Sequence, residues 1–285
     1  MKPATKKKQT RQKKKNCSNP SGSVIKSTNL ATMSNEIESV KPIILPLVYC
    51  DSEPEVLIFN IDDIKKLRND YNILGLLTGT LQQYPQQNIF LSVPLKLVIW
   101  EVLWLVKNKK AILVDQKKYR NARVTSSIDN KNYSGNLIST SNSEESSDIE
   151  LAKQYQVPIP EYITKYLSLS SLTIDTFIKY NKYYNYLQNQ GYFINPGLKF
   201  GGDLVIYPGD PLRYHSYSIV KFEFADVHEI VVGGRLATSV KKNLVLIGER
   251  EPSDKKHNTV NDEVIEELFQ ESQPLTFSIE WAGFG

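Results

Sequence analysis

A tyrosine, a histidine and a lysine are enough to cut RNA without a metal, because the substrate carries its own nucleophile, the ribose 2′-OH. The segment Gly201–Tyr217, GGDLVIYPGDPLRYHSY, sets Tyr207 and His215 eight positions apart across a tight Pro-Gly-Asp-Pro corner. A lysine pair, Lys241 and Lys242, follows further on. The reaction needs a base to take the 2′-OH proton, an acid to protonate the leaving 5′ oxygen, and a cation to stabilise charge on the phosphorane-like transition state. His215 suits the acid, since histidine's reference pKa of ~6.5 lies near working pH and a nearby phosphate favours the protonated donor. Tyr207 is the candidate base. Tyrosine's reference pKa of ~10 leaves roughly one molecule in a thousand ionised at pH 7, so a cation held close is needed to favour the phenolate. Lys242 can fill that role and also neutralise phosphate oxygens. The same residues also fit a strand-edge aromatic, a hydrogen-bonded structural histidine and a solvated lysine pair. His228 and His257 have no comparable setting and read as structural.

The elements that must position these groups are strand ends. Leu204–Tyr207 reads as a strand ending at Pro208-Gly209, and Tyr217–Phe224 alternates like a strand with one buried face. Val227–Val240 has helical spacing despite Gly233 and Gly234, and hands over at Lys242 to the apolar run Asn243–Gly248, a central strand. Leu275–Trp281 alternates again and closes the sheet. Upstream, Thr173–Asn189 carries a helical stripe with Gly191 placed as a C′ glycine, and Tyr192–Ile194 leads into an Asn-Pro-Gly turn. The second half is thus a compact α/β domain over residues 173–285. A smaller α/β domain over 42–110 is expected from strands Ile43–Tyr49 and Glu55–Asn60, a helix over Asp62–Arg68 capped by Asn60 or Asp62, and a helix over Pro94–Val106 with proline in its first turn. Residues 111–172 read as a linker. Their Ser/Asn-rich core, 126–147, cannot bury a core of its own.

Eight basic residues crowd positions 2–15, while the whole chain of 285 residues carries only +4, so a basic head leads a mildly acidic body. Residues 1–41 read as a disordered arm, suited to nuclear localisation or RNA tethering. Two cysteines, Cys17 and Cys50, offer neither a disulfide framework nor a zinc site. No apolar run approaches the ~18 residues of a membrane span and no secretory core is seen, so a soluble intracellular protein is expected.

Two longer stretches, GYFINPGLKFGGDLVIYPGDPLRYHSYSIV and GGRLATSVKKNLVLIG, resemble the catalytic domain of the tRNA-splicing endonucleases. GRLATSVKK, the ending SIEWAGFG, and FNIDDIKKLRNDYNILGLLTGTLQQYPQQNIFLSVPLKL in the first half resemble the smaller catalytic subunit of the eukaryotic enzyme. The resemblance covers roughly residues 55–107 and 175–285. It implies a restriction-endonuclease-like catalytic domain, its mixed sheet flanked by helices. It also implies a metal-independent, cofactor-free endonuclease that cuts precursor tRNA at the 3′ splice site, leaving 2′,3′-cyclic phosphate and 5′-OH ends. The family's catalytic triad falls on Tyr207, His215 and Lys242, the lysine directly before the apolar strand; Lys241 occupies a position often basic without being catalytic. An arginine and a tryptophan that sandwich a nucleotide near the opposite catalytic subunit's active site match Arg235 and Trp281. The implied partners are a second catalytic subunit and two structural subunits in a heterotetramer, the C-terminal strand pairing with a structural partner. The implied location is the nucleus or, as in some relatives, the outer mitochondrial surface.

Three other readings use the same residues. A structural subunit of the same complex would usually lack a triad member. A magnesium-dependent nuclease would need clustered carboxylates; Asp203 and Asp210 are available, but Glu223 and Lys221 stand in the wrong order. A non-enzymatic RNA-binding module would rely on the lysine head and the aromatics.

Overall fold

The computed structural model describes residues 41–49, 53–78, 92–133, 141–224, 226–250 and 256–280, with the side chains of 126–133 and 141–147 excepted. The chain divides into two units, Met1–Ser39, outside the described residues, and Val40–Gly285. The second unit holds two five-stranded mixed sheets and eight helices among the described residues.

The first sheet runs β3-β4-β2-β1-β5, built from β1 (Ile43–Tyr49), β2 (Pro54–Ile58), β3 (Leu76–Leu77), β4 (Leu95–Leu97) and β5 (Ala111–Asp115). Alternation on β1 puts Ile43, Leu45 and Leu47 into the core, as period-two patterning requires. Helix α1 (Ile61–Tyr71) starts at Asn60, whose side chain accepts the Asp62 N–H at 2.9 Å, and stops at Asn72 in the left-handed region (φ 56°).

Two expectations for this half need correction. The apolar stretch from Pro94 is not one helix. Leu95 and Leu97 are buried on alternate positions of β4, and α2 (Ile99–Lys107) begins only after Val98. Period two gives way to period 3.6 at that residue. Glu101 fixes the switch, since its carboxyl group reaches back and accepts the Val98 N–H at 2.9 Å. Nor is 111–172 a linker. β5 pairs in parallel with β1, Ile43 opposite Ala111 through Leu47 opposite Asp115, and so belongs to the N-terminal sheet. It is followed by α3 (Gln116–Tyr133), α4 (Ser141–Gln154) and α5 (Ile159–Leu169). A polar helix carries little apolar periodicity, and anchors such as the buried Ala152, Tyr162 and Ile163 are too sparse to reveal one.

Helix α6 (Ile174–Asn189) is the spine between the halves. Thr173 caps it, accepting the Thr176 N–H, and Gly191 (φ 82°) follows its end as the C′ residue, matching the expectation. Phe177 and Ile178 enter the N-terminal core; Tyr184 and Leu187 enter that of the second sheet. The second sheet runs β10-β9-β8-β7-β6, with β6 (Phe193–Pro196), β7 (Leu204–Tyr207), β8 (Ser218–Phe222), β9 (Asn243–Gly248) and β10 (Leu275–Ile279). All its pairs are antiparallel except β8–β9, joined by α7 (Val227–Ser239). β8 does not alternate. Ser218, Ile219 and Val220 are all buried, because Val220 faces the α6 side while Ile219 packs with Ala237 of α7. α8 (Asp262–Phe269), capped by Asn261, docks on α6, where Lys182 pairs with Glu267 at 3.0 Å and His257 Nδ1 meets Asp175 at 2.8 Å. His257 is therefore a docking residue. No helix among the described residues is long and apolar enough to cross a membrane.

Candidate active site at the end of the second sheet

The strand register brings the three chemistry-bearing residues to one end of the sheet. Tyr207 is the last residue of β7 and lies one place beyond the Ile206–Ser218 pair. Ser218 in turn faces Asn243 on β9, and Lys242 lies one place before Asn243. The backbone ladder continues past the strands, Tyr217 N–H donating to Ile206 and Asn243 N–H to Tyr217. Tyr207 and Lys242 thus stand two strand spacings apart, roughly 10 Å between backbones, and His215 enters the strand between them. Both end residues have the parity of Val205 and Leu244, on the face covered by α7. Tyr207 and Lys242 are half-buried and His215 is exposed.

Lys242 is held from two directions. Its backbone is set by the end of α7: Lys241 N–H donates to Thr238 and Lys242 N–H to Ala237, with Lys241 itself left-handed at φ 56°. That bond pair is the Schellman ending, which fixes the chain two residues past the cap. Its ammonium donates to the Ser216 carbonyl at 2.9 Å and lies 4.9 Å from the Phe200 ring centre. Burial pushes the Lys242 pKa down from the ordinary lysine value, the mark of an ammonium short of water.

His215 is presented by a loop organised around Asp210. The Asp210 carboxylate accepts the Leu212 N–H at 2.8 Å, and its carbonyl accepts those of Arg213 and Tyr214. The Tyr214 ring covers Gly209 so closely that a Cβ there would sit 2.8 Å from it. Arg68 of α1 grips the same Asp210 carboxylate with Nε at 2.9 Å and Nη2 at 2.6 Å, which holds its pKa down to about 2. Sequence reasoning considered Asp210 only as a metal ligand and did not single out Arg68. The Asp-Pro pair that opens the turn was a usable signal for the loop; nothing local pointed to the arginine.

Of the two carboxylates considered for magnesium, Asp203 accepts the Phe222 N–H at 2.7 Å and Asp210 is gripped by Arg68. No three His, Cys, Asp or Glu side chains converge as a metal site among the described residues. The apolar cleft lined by Trp100, Glu101, Tyr184, Pro196 and Leu204 lies at the opposite end of β7 from Tyr207. Arg235 is exposed on α7, and Trp281 lies outside the described residues.

Residues 46–116 match the family described as TSEN34-like, N-terminal domain, and residues 177–257 match the tRNA intron endonuclease, catalytic C-terminal domain. The first span runs through β5, in keeping with its place in the N-terminal sheet; the second contains Tyr207, His215, Arg235 and Lys242. The probable tRNA-splicing endonuclease subunit sen34 of Schizosaccharomyces pombe is 30% identical over 273 residues, covering 80% of this chain and 95% of that protein. The tRNA-splicing endonuclease subunit SEN34 of Saccharomyces cerevisiae is 29% identical, covering 80% of this chain and 99% of that protein. The Homo sapiens subunit Sen34 is 42% identical over 67 residues, 22% of each chain. With both of its lobes matched and a near full-length relative at this identity, the chain belongs to the tRNA-splicing endonuclease family, on its Sen34 branch.

Proposed function

We propose that this protein is the subunit of a tRNA-splicing endonuclease that cuts precursor tRNA at the 3′ splice site, without a metal in the chemical step. Tyr207 takes the proton from the ribose 2′-OH as that oxygen attacks phosphorus. The P–O5′ bond breaks, and His215 gives the leaving oxygen its proton. The products are a 2′,3′-cyclic phosphate and a 5′-OH. Lys242 neutralises the charge that builds on the non-bridging oxygens. Its ammonium, already short of water, gains more from a phosphate than a hydrated one would. The observation that carries this reading is the tie from Lys242 to the Ser216 carbonyl, which couples the cation to the residue next to the acid at the strand end that Tyr207 shares.

β10 is the last strand of its sheet, with Phe277 half exposed at 53%, which suits docking of a partner subunit. One further catalytic and two structural subunits would complete a heterotetramer that reads the tRNA by shape. Arg235 and Trp281 would clamp a nucleotide at the opposite catalytic site. The lysine head fits a nuclear enzyme; loss of nuclear fluorescence on removing residues 1–41 checks that point, and unchanged distribution contradicts it.

The test of the function is cleavage of one intron-bearing tRNA by the purified assembly in excess EDTA, with the ends mapped. Tyr207→Phe keeps the ring and removes the proton acceptor. Its 3′ cutting is expected to fall roughly 100-fold or more; an unchanged rate removes tyrosine as the base, and dependence on added magnesium overturns the metal-independent chemistry.

A further inference from the structure

We propose that Arg68, on the N-terminal lobe, is a positioning residue for the loop that presents His215. This rests on the reading of His215 as the acid. The loop from Pro208 to Ser216 folds around Asp210, whose carboxylate holds the Leu212 N–H and whose carbonyl holds those of Arg213 and Tyr214. Arg68 engages both oxygens of that carboxylate, in the planar two-bond geometry that fixes orientation as well as distance. The pair is about a quarter exposed on each side, so solvent screens it only in part.

The arginine works from a fixed base. Gln188 of α6 donates to the Tyr71 carbonyl at 2.8 Å, and Asn72 donates to the Gly191 carbonyl at 3.0 Å. The end of α1 is thereby stapled to the end of α6, whose flank packs against β6 and β7 through Tyr184 and Leu187. Arg68 stands one turn back from that staple and reaches across to the loop. The N-terminal lobe thus sets where the acid sits relative to Tyr207 and Lys242. Misplacement of a catalytic group by about 1 Å can cost roughly 100-fold in rate, so a distant ion pair can matter for chemistry without touching substrate.

The experiment uses the complete enzyme with its partner subunits and follows single-turnover cutting at both splice sites, together with precursor tRNA affinity. Arg68→Met and Asp210→Asn are each expected to slow 3′ cutting about 10- to 100-fold, while 5′ cutting and affinity stay within about twofold. Arg68→Lys restores part of the 3′ rate, because it returns the charge without the fork. The double variant is no slower than the slower single one, since both remove one contact. Unchanged 3′ rates, additive losses, or equal losses at both splice sites would overturn the proposal. Should Arg68→Met fail to assemble, Asp210→Asn carries the test alone, because asparagine keeps the acceptor for Leu212. His215→Ala run in parallel separates the two ideas. If it leaves 3′ cutting intact, the proposed function fails; if it abolishes cutting while Arg68→Met does nothing, only the positioning role fails.

Discussion

The Lys242 ammonium donates to the carbonyl of Ser216 at 2.9 Å, and Ser216 is the residue that follows His215. Lys242 and His215 therefore meet at one stretch of backbone, although one lies just before β9 and the other in the loop before β8. Lys242→Met removes the charge and keeps the aliphatic stem against Phe200. It is expected to cut the single-turnover 3′ rate by about 100- to 1,000-fold, with substrate affinity changed far less. A loss confined to affinity would make the lysine a tether for phosphate.

Lys241 tests the backbone that delivers Lys242. It is exposed and left-handed at φ 56°, a conformation that glycine adopts without strain. Lys241→Gly is expected to raise stability by about 1 kcal/mol while leaving 3′ cutting unchanged. Lys241→Val should lose at least that amount, because a β-branched residue resists the left-handed region. Chemical denaturation reads both, and a destabilised glycine variant would contradict the Schellman account.

Glu101 gives a signed pH effect. Burial pushes its carboxyl up to about 7, against the opposing hydrogen bonds from the Val98 and Gly75 N–H groups. The folded state then keeps a proton that the unfolded state sheds from ~4.3 upward. The stability this group supplies is complete below ~4.3 and is lost as pH rises towards 7, by about 1–3 kcal/mol. Glu101→Gln should flatten that slope. It should also be the less stable protein at pH 5, since an amide oxygen can serve only one of the two N–H groups and its NH₂ opposes the other. Denaturant titrations at pH 5 and 7 compare them; parallel slopes would show that Glu101 does not titrate in this range.

Arg235 sits on α7, exposed, and its proposed role is at the opposite catalytic site. Arg235→Ala is expected to slow 5′ splice-site cutting about 10-fold, in line with the loss of one stacking contact, and to leave 3′ cutting within about twofold. A selective 3′ defect would contradict the clamp.

The catalytic half was legible where the signal was local. An apolar run stopping at Pro208-Gly209 marks the end of β7, and a helical stripe meeting an apolar run marks the turn at Lys242; both boundaries agree with the structure. Sequence failed where burial depends on distant neighbours. β8 loses its alternation because elements on both faces cover it, and β5 joins its sheet by pairing with β1. The polar helices α3 and α4 show no stripe to read. α8, over a stretch for which no element was expected, buries Val264 and Leu268, with Ile265 and Phe269 half-buried beside them. Arg68 and Asp210 lie 142 positions apart and became partners only when the two lobes were in place.

The general-acid role proposed for His215 is the step on which the chemistry turns, and a changed leaving group tests it most directly. A precursor tRNA with sulfur in place of the 5′ bridging oxygen at the 3′ splice site needs no acid, because a thiolate leaves unprotonated. On the oxygen substrate, the enzyme carrying His215→Ala is expected to lose roughly 100- to 10,000-fold in single-turnover 3′ cutting. On the sulfur substrate it should cut at close to the wild-type rate. Equal slowness on both substrates would contradict proton donation by His215 and leave it a structural residue of the loop.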